Sequence, residues 1–347
     1  MNFSLSSCEI YYLLQKIANY EYMLFDKIKE SFMYRFRTKK ELQEAINRYC
    51  RRRVVVKDGI KYYREGYESE IIKYGNIALW DTSLITDMSY LFQRRIYFNY
   101  DISLWDVSNV KTMAHMFESC SNFNKPLNKW NVSKVMSMSY MFANCVRFNQ
   151  PINKWDTINV RNFEYMFSNC YYFNQELNEW DCRNARITKY MFLYCHNFNK
   201  PIGNWNMSKV TNMEGMFFKC LAFQQNLEDW DVSNVKTMKE LFAYCLYMNS
   251  PLIKWNVSNV RFMDYMFKEC TNFNQPLEDW DIRKVETMEG LFNGCRNFNQ
   301  TLNKWDMSQV KNISYLFYDC YSLDQTFENW DTSNVVSNYE VYNLGKV

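Results

Sequence analysis

The chain has 347 residues with 41 basic and 38 acidic side chains, a net charge of +3, and 48% hydrophobic residues. That balance supplies enough apolar surface for a buried core and argues against disorder and against the strongly basic surface of most nucleic-acid binders. No run approaches the roughly 18 apolar residues of a membrane-spanning helix, and the start, Met1-Asn2-Phe3-Ser4, lacks the basic and apolar regions of a secretion signal.

The first 79 residues differ from the rest. They hold 15 basic and 10 acidic side chains, whereas residues 80–347 hold 26 and 28. Ile10, Leu13, Leu14, Ile17, Leu24 and Ile28 space out as an amphipathic helix. Its polar face mixes Glu and Lys, which favours packing on protein over binding a membrane. Thr38-Lys-Lys-Glu41 reads as a capping box opening a second helix through Leu42, Ala45, Ile46 and Tyr49. Val54-Val55-Val56 and Ile60-Lys61-Tyr62 flank Lys57-Asp58-Gly59, a hairpin signature. Residues 69–74 read as a short helix ended by Gly75. Residues 1–79 are therefore expected to cap whatever follows.

From residue 80 onward a 25-residue period governs the chain. All eleven Trp fall on it, from Trp80, Trp105, Trp130 and Trp155 to Trp330. A Phe column runs from Phe92 through Phe117 and Phe142 to Phe317, and a Cys column from Cys120 and Cys145 to Cys320. An Asn column includes Asn124 and Asn149, and all five Pro share one column. Such a period implies stacked units that bury each other's apolar sides. Residues 80–347 read as ten full repeats and a partial one.

Within one unit, Val110, Met113, Met116, Phe117 and Cys120 carry the spacing of a helix face, with Ser108 as the N-cap. Leu127, Trp130 and Val132 follow as an extended segment. The expected fold is an α/β solenoid with one short strand and one short helix per repeat and a mainly helical N-terminal cap. Parallel rungs about 4.8 Å apart would give a rod roughly 50 Å long.

The Trp and Phe columns belong in the core, because their neighbours are apolar. The Asn column suits a ladder of amides satisfying turn backbone. After each Trp stands Asp or Asn, so the shared property is an acceptor oxygen and a backbone-capping role follows. The Cys column could be read as a metal or disulfide ladder. It lacks the clustered ligands of zinc sites, so buried thiols are the better reading. No cofactor or metal is expected. Nucleotide-binding, nucleophile-elbow and metalloprotease motifs are missing, so the chain is read as no enzyme.

The unit Trp-Asp-Val-Ser-Asn-Val-x-x-Met-x-x-Met-Phe-x-x-Cys-x-x-Phe-Asn-x-Pro-Leu resembles the BspA-type leucine-rich repeat, also known from mycoplasma lipoproteins. The lead-ins Lys40-Glu-Leu-Gln-Glu-Ala-Ile46 and Lys73-Tyr-Gly-Asn-Ile-Ala-Leu-Trp-Asp81 are similar to the usual start of such arrays. The resemblance spans about residues 38–342. It implies a leucine-rich-repeat-like solenoid with interaction or adhesion roles and no known enzyme activity. With no secretion signal, free Cys and an Asn- and Tyr-rich composition, the chain looks most like a member from a large DNA virus. That resemblance points to the cytoplasm or another intracellular site, host or virion.

Binding surfaces are expected where the repeat varies. One strip flanks each Trp: Glu179 and Asp181, Asp229 and Asp231, and Asp279 and Asp281 alternate with Lys129, Lys154, Lys254 and Lys304. A second follows each expected helix: Tyr97, Tyr171, Tyr172, Leu246, Tyr247 and Tyr321. The first strip reads either as a partner surface or as a solvated face. The functional expectation is a scaffold for a protein partner. The alternatives are a virion component or adhesin, and a weak nucleic-acid binder through Arg51-Arg52-Arg53.

Overall fold

Thr38 caps the helix that the sequence places after it. In a computed structural model describing residues 33–57, 60–65 and 73–342, helix α1 spans Lys39–Tyr49, with the Thr38 hydroxyl accepting the Glu41 N–H. The Glu41 carboxylate accepts the Arg37 N–H at 3.0 Å, one residue before the position a capping box would use. Leu42, Ala45, Ile46 and Tyr49 form the buried face of α1. Strands β1 (Arg52–Lys57) and β2 (Ile60–Glu65) pair antiparallel as the expected hairpin. The helix expected over residues 10–28, and residues 69–72 of the short one, lie outside the described residues.

Phe36, Tyr49 and Tyr74 pack their rings on Trp80 at 4.9, 5.6 and 6.0 Å. Residue 35 bridges Asp81 in parallel. The first unit is thus covered on its outer side by the segment before it.

The α/β expectation fails for the repeats. Among the described residues beyond the short 3-10 turn Ile77–Leu79, there is neither a helix nor a strand. Residues 110–120, expected as a helix, instead make successive four-residue turns. Met116 N–H closes on Met113 C=O at 3.1 Å and Cys120 N–H on Phe117 C=O at 2.9 Å. The third residue of each turn, His115 or Ser119, has φ near +60°, the backbone a type II turn requires. A left-handed residue every fourth position breaks an α-helix. The same two columns keep positive φ along the array, and they hold no β-branched residue, the kind least able to adopt it.

The destination of the backbone donors shows what replaces the helix. Met113, His115, Phe117 and Ser119 donate to the carbonyls of Ser137, Ser139, Met141 and Ala143 at 2.7–3.0 Å. These acceptors lie 24 residues on, in the next unit, rather than four residues back. The expected strand around Trp130 is also a turn, closed by Trp130 N–H on Leu127 C=O. Single-residue parallel bridges run instead from Asp87↔Thr112 and Thr112↔Ser137 to Asn312↔Ser337. The repeats are turn-built coils stacked in register, with single bridges between neighbours.

The apolar residues occupy the turn corners and point into the stack. Phe92 through Phe317 form an unbroken ladder with ring centroids 5.4–5.8 Å apart. From Trp155 to Trp280, successive indoles stack at 6.1–6.5 Å within 7° of parallel. Burying each such ring contributes about 1.5–3 kcal/mol.

Polar groups in the core are satisfied by the preceding coil. Trp205 Nε1 donates to Leu177 C=O at 2.9 Å, and Cys220 Sγ to Phe192 C=O at 3.0 Å. Asn124 Oδ1 accepts the Asn149 N–H at 3.0 Å. Each bond spans a fixed sequence offset, so one inserted residue would misplace them all. That explains the invariant period.

Candidate partner-binding groove

The third residue of the first turn in each coil projects along one outer face. Tyr90, His115, Tyr140, Tyr165 and Tyr190 stack there at 4.5–4.9 Å. Gly215 and Gly290 interrupt this column. A Cβ on Gly215 would overlap Cε1 and Cδ1 of Tyr190, and one on Gly290 the same atoms of Tyr265. Each tyrosine therefore folds over the glycine of the next coil.

That fold-over brings phenols to carboxylates. Tyr190 Oη donates to Glu240 Oε2 at 2.8 Å, two coils on, and lies 3.1 Å from Glu214 Oε1. Tyr265 Oη donates to Glu289 Oε1. Burial, then the bond to Glu240, pushes the Tyr190 phenol well above its ordinary range. Burial and the Glu289 bond do the same for Tyr265.

One position earlier, the coils from Glu164 to Glu289 carry a column of charges. Lys189 pairs with Glu214 at 3.1 Å and Lys239 with Asp264 at 2.7 Å. Asp264 is buried and also accepts from Thr287 Oγ1 at 2.8 Å and Glu289 N–H at 3.1 Å. Asn312 Nδ2 donates to Glu289 Oε2 at 2.9 Å. All of these residues but Glu164 and Lys189 line an open groove of about 380 Å³. Its lining holds four carboxylates, from Glu214, Glu240, Asp264 and Glu289, against the single ammonium of Lys239. Such a surface favours cations and hydrogen-bond donors.

The two strips picked out in the sequence lie elsewhere. In the first, charges pair between neighbouring coils: Lys154 with Glu179 at 2.7 Å, Lys254 with Asp229 and Lys304 with Asp279, both at 2.9 Å. Asp181 and Asp281 bind Arg183 and Arg283, each at 2.7 Å. Asp231 Oδ1 accepts the Ser233 N–H at 3.0 Å. The acceptor oxygen after each Trp thus closes a local turn, with no helix to cap, and Ser108 is likewise the N–H donor to Asp106 at 3.0 Å. In the second strip, Tyr97, Tyr171, Tyr172, Tyr247 and Tyr321 are exposed.

The ladder residues Trp105, Trp130, Trp155, Phe117, Phe142, Cys120 and Cys145 are buried, while Asn124 and Asn149 lie half-buried. Of the basic triplet, Arg52 and Arg53 fall on β1.

The groove residues were not singled out from the sequence. Their signal was available, since Gly215 and Gly290 are the two glycines in a column otherwise filled by Tyr, His and Glu. What a gap there would expose depends on the turn geometry.

These features define a tandem-repeat protein with in-register coils. The chain belongs to the family described as "Mycoplasma protein of unknown function, DUF285", whose model matches three overlapping stretches, residues 66–180, 162–275 and 247–346. No curated protein and no solved structure matches it. Among the described residues, no helix is long and apolar enough to cross a membrane.

Proposed function

We propose that the chain is a non-enzymatic scaffold that binds a protein partner through the groove between Tyr190 and Tyr265. The observation that carries this reading is the pair of glycines, Gly215 and Gly290, in a column that otherwise carries Tyr, His or Glu side chains. Repeat arrays hold a frame constant and vary the binding surface. Here the variation removes a side chain twice, three coils apart, and collects carboxylates around the gaps. The groove's charge suits a segment bearing Lys or Arg, and phenols at its walls supply aromatic contact area.

The strip at Asp229 and Asp279 is a weaker choice, because exposed pairs satisfied by neighbouring lysines contribute little. The test is a partner captured from the native host with the full chain, identified by mass spectrometry and then titrated. Glu240→Gln with Glu289→Gln should weaken binding at least tenfold, and raised salt should weaken it further. Asp229→Asn with Asp279→Asn should leave it unchanged. The reverse pattern would move the site to the Trp-flanking strip.

A further inference from the structure

A series of alternating rings and cations leads up to one wall of the groove. It begins in the second left-handed column, which holds Ser119, Asn144 and Asn169 in three earlier coils. Tyr194, Lys219 and Tyr244 then replace these short polar residues. The Lys219 ammonium lies 4.9 Å from the centroid of the Tyr194 ring and 5.0 Å from that of Tyr244, one in the coil before and one in the coil after. The Lys268 ammonium continues the series, 5.7 Å from Tyr244 and 5.1 Å from Tyr265. Tyr265 also lines the groove.

These two lysines differ from the lysines beside the groove carboxylates. Lys189 pairs with Glu214 and Lys239 with Asp264, whereas neither Lys219 nor Lys268 forms an ion pair with a carboxylate among the described residues. Lys219 donates instead to the Tyr194 hydroxyl at 3.3 Å. Glu269, the next residue in the column, lays its carboxylate over Gly294, where a Cβ would fall 2.7 Å from Glu269 Cδ. Both lysines are half-buried, as are Tyr194, Tyr244 and Tyr265. Ring faces hold an ammonium in place by cation–π attraction without neutralising it. The strip is therefore positive and already ordered, which suits an anionic group.

The Tyr265 ring stands between the two signs of charge. Lys268 lies over the ring, and the hydroxyl donates to Glu289. Strip and groove thus face a ligand within about 10 Å of each other, a span of about three extended residues. A nucleic acid suits this pair poorly. Bases need open ring faces, yet Lys219 lies over both Tyr194 and Tyr244, and the groove carboxylates repel phosphates.

We propose that the partner segment is of mixed charge: a Lys or Arg enters the groove at Glu240 and Glu289, and an Asp or Glu about three residues away reaches Lys268 and Lys219. This inference rests on the groove being the binding site, and adds what the segment carries beyond its basic residue.

Selection of a random peptide library on the immobilised full chain tests it. Enriched peptides should pair an acidic residue with a nearby basic one. Lys219→Gln with Lys268→Gln should erase the acidic preference, keep the basic one, and weaken a selected mixed peptide about tenfold in a fluorescence titration. Lys219→Arg with Lys268→Arg keeps both cations and should keep the acidic preference. Circular dichroism melting checks that each variant is folded. Peptides that are only basic, or an acidic preference that survives the Gln substitutions, overturn the inference and leave the groove reading in place. Peptides without a basic residue, or a basic preference that survives Glu240→Gln with Glu289→Gln, overturn the groove reading and this inference with it.

Discussion

The ring of Tyr190 fills the space that a side chain at Gly215 would occupy, one coil further along the stack. The glycine serves two purposes. Its φ of +55° is left-handed, and its missing Cβ lets the phenol reach Glu240. Gly215→Ala should therefore lower unfolding free energy by roughly 1–3 kcal/mol, from the backbone penalty plus the displaced ring. In the background of Tyr190→Ala, the same substitution should cost only the backbone part. Urea unfolding of the two single variants and the double variant measures the coupling. Additive effects would mean that ring and glycine are independent.

Position along the stack should set the cost of losing an indole. Trp205 has coils on both sides, and Trp205→Ala should cost about 3–5 kcal/mol. Trp330 has a stacked indole on one side only, so Trp330→Ala should cost less than half as much. Equal losses in denaturant titrations would argue against nearest-neighbour stacking as the source of stability.

The thiol column should be chemically silent in the native chain. Burial pushes thiols such as Cys145, Cys170 and Cys220 well above their ordinary range, and the thiolate is the reactive form. A colorimetric thiol reagent should label the column only as the chain unfolds in denaturant. Rapid labelling of Cys220 in the native protein, located by peptide mapping, would contradict the packing described.

Alkaline pH should loosen the groove. Burial and carboxylate partners raise the Tyr190 and Tyr265 phenols above their ordinary value of 10.0. A raised folded-state value stabilises the fold in full below the unfolded value, and that stability is lost as pH climbs past it. The unfolding midpoint should fall above about pH 10, and fall less steeply in Tyr190→Phe with Tyr265→Phe. Superimposable pH profiles would show that the two phenols carry no such linkage.

The stacking was legible in the sequence because Trp, Phe, Cys and Asn each repeat at a fixed interval. The secondary structure was not, for a specific reason. Met113, Met116, Phe117 and Cys120 follow a three-then-four spacing that a helix face and a pair of four-residue turns share. A helix would send the Phe117 N–H back to Met113, whereas the structure sends it to Met141. Apolar periodicity does not encode that choice. The absence of β-branched residues at the positive-φ columns was the available hint. The groove was half legible, since the glycine gaps are visible in a column whose outward direction is not.

The central claim is that hydrogen bonds cross between coils where a helix would keep them within one. Scalar coupling across hydrogen bonds, measured by nuclear magnetic resonance on the isotope-labelled chain, tests it at one amide. The account predicts coupling from the Phe167 N–H to the Met191 carbonyl, which lie 2.9 Å apart. Coupling from that N–H to the carbonyl of Phe163 would show a helix and contradict the account.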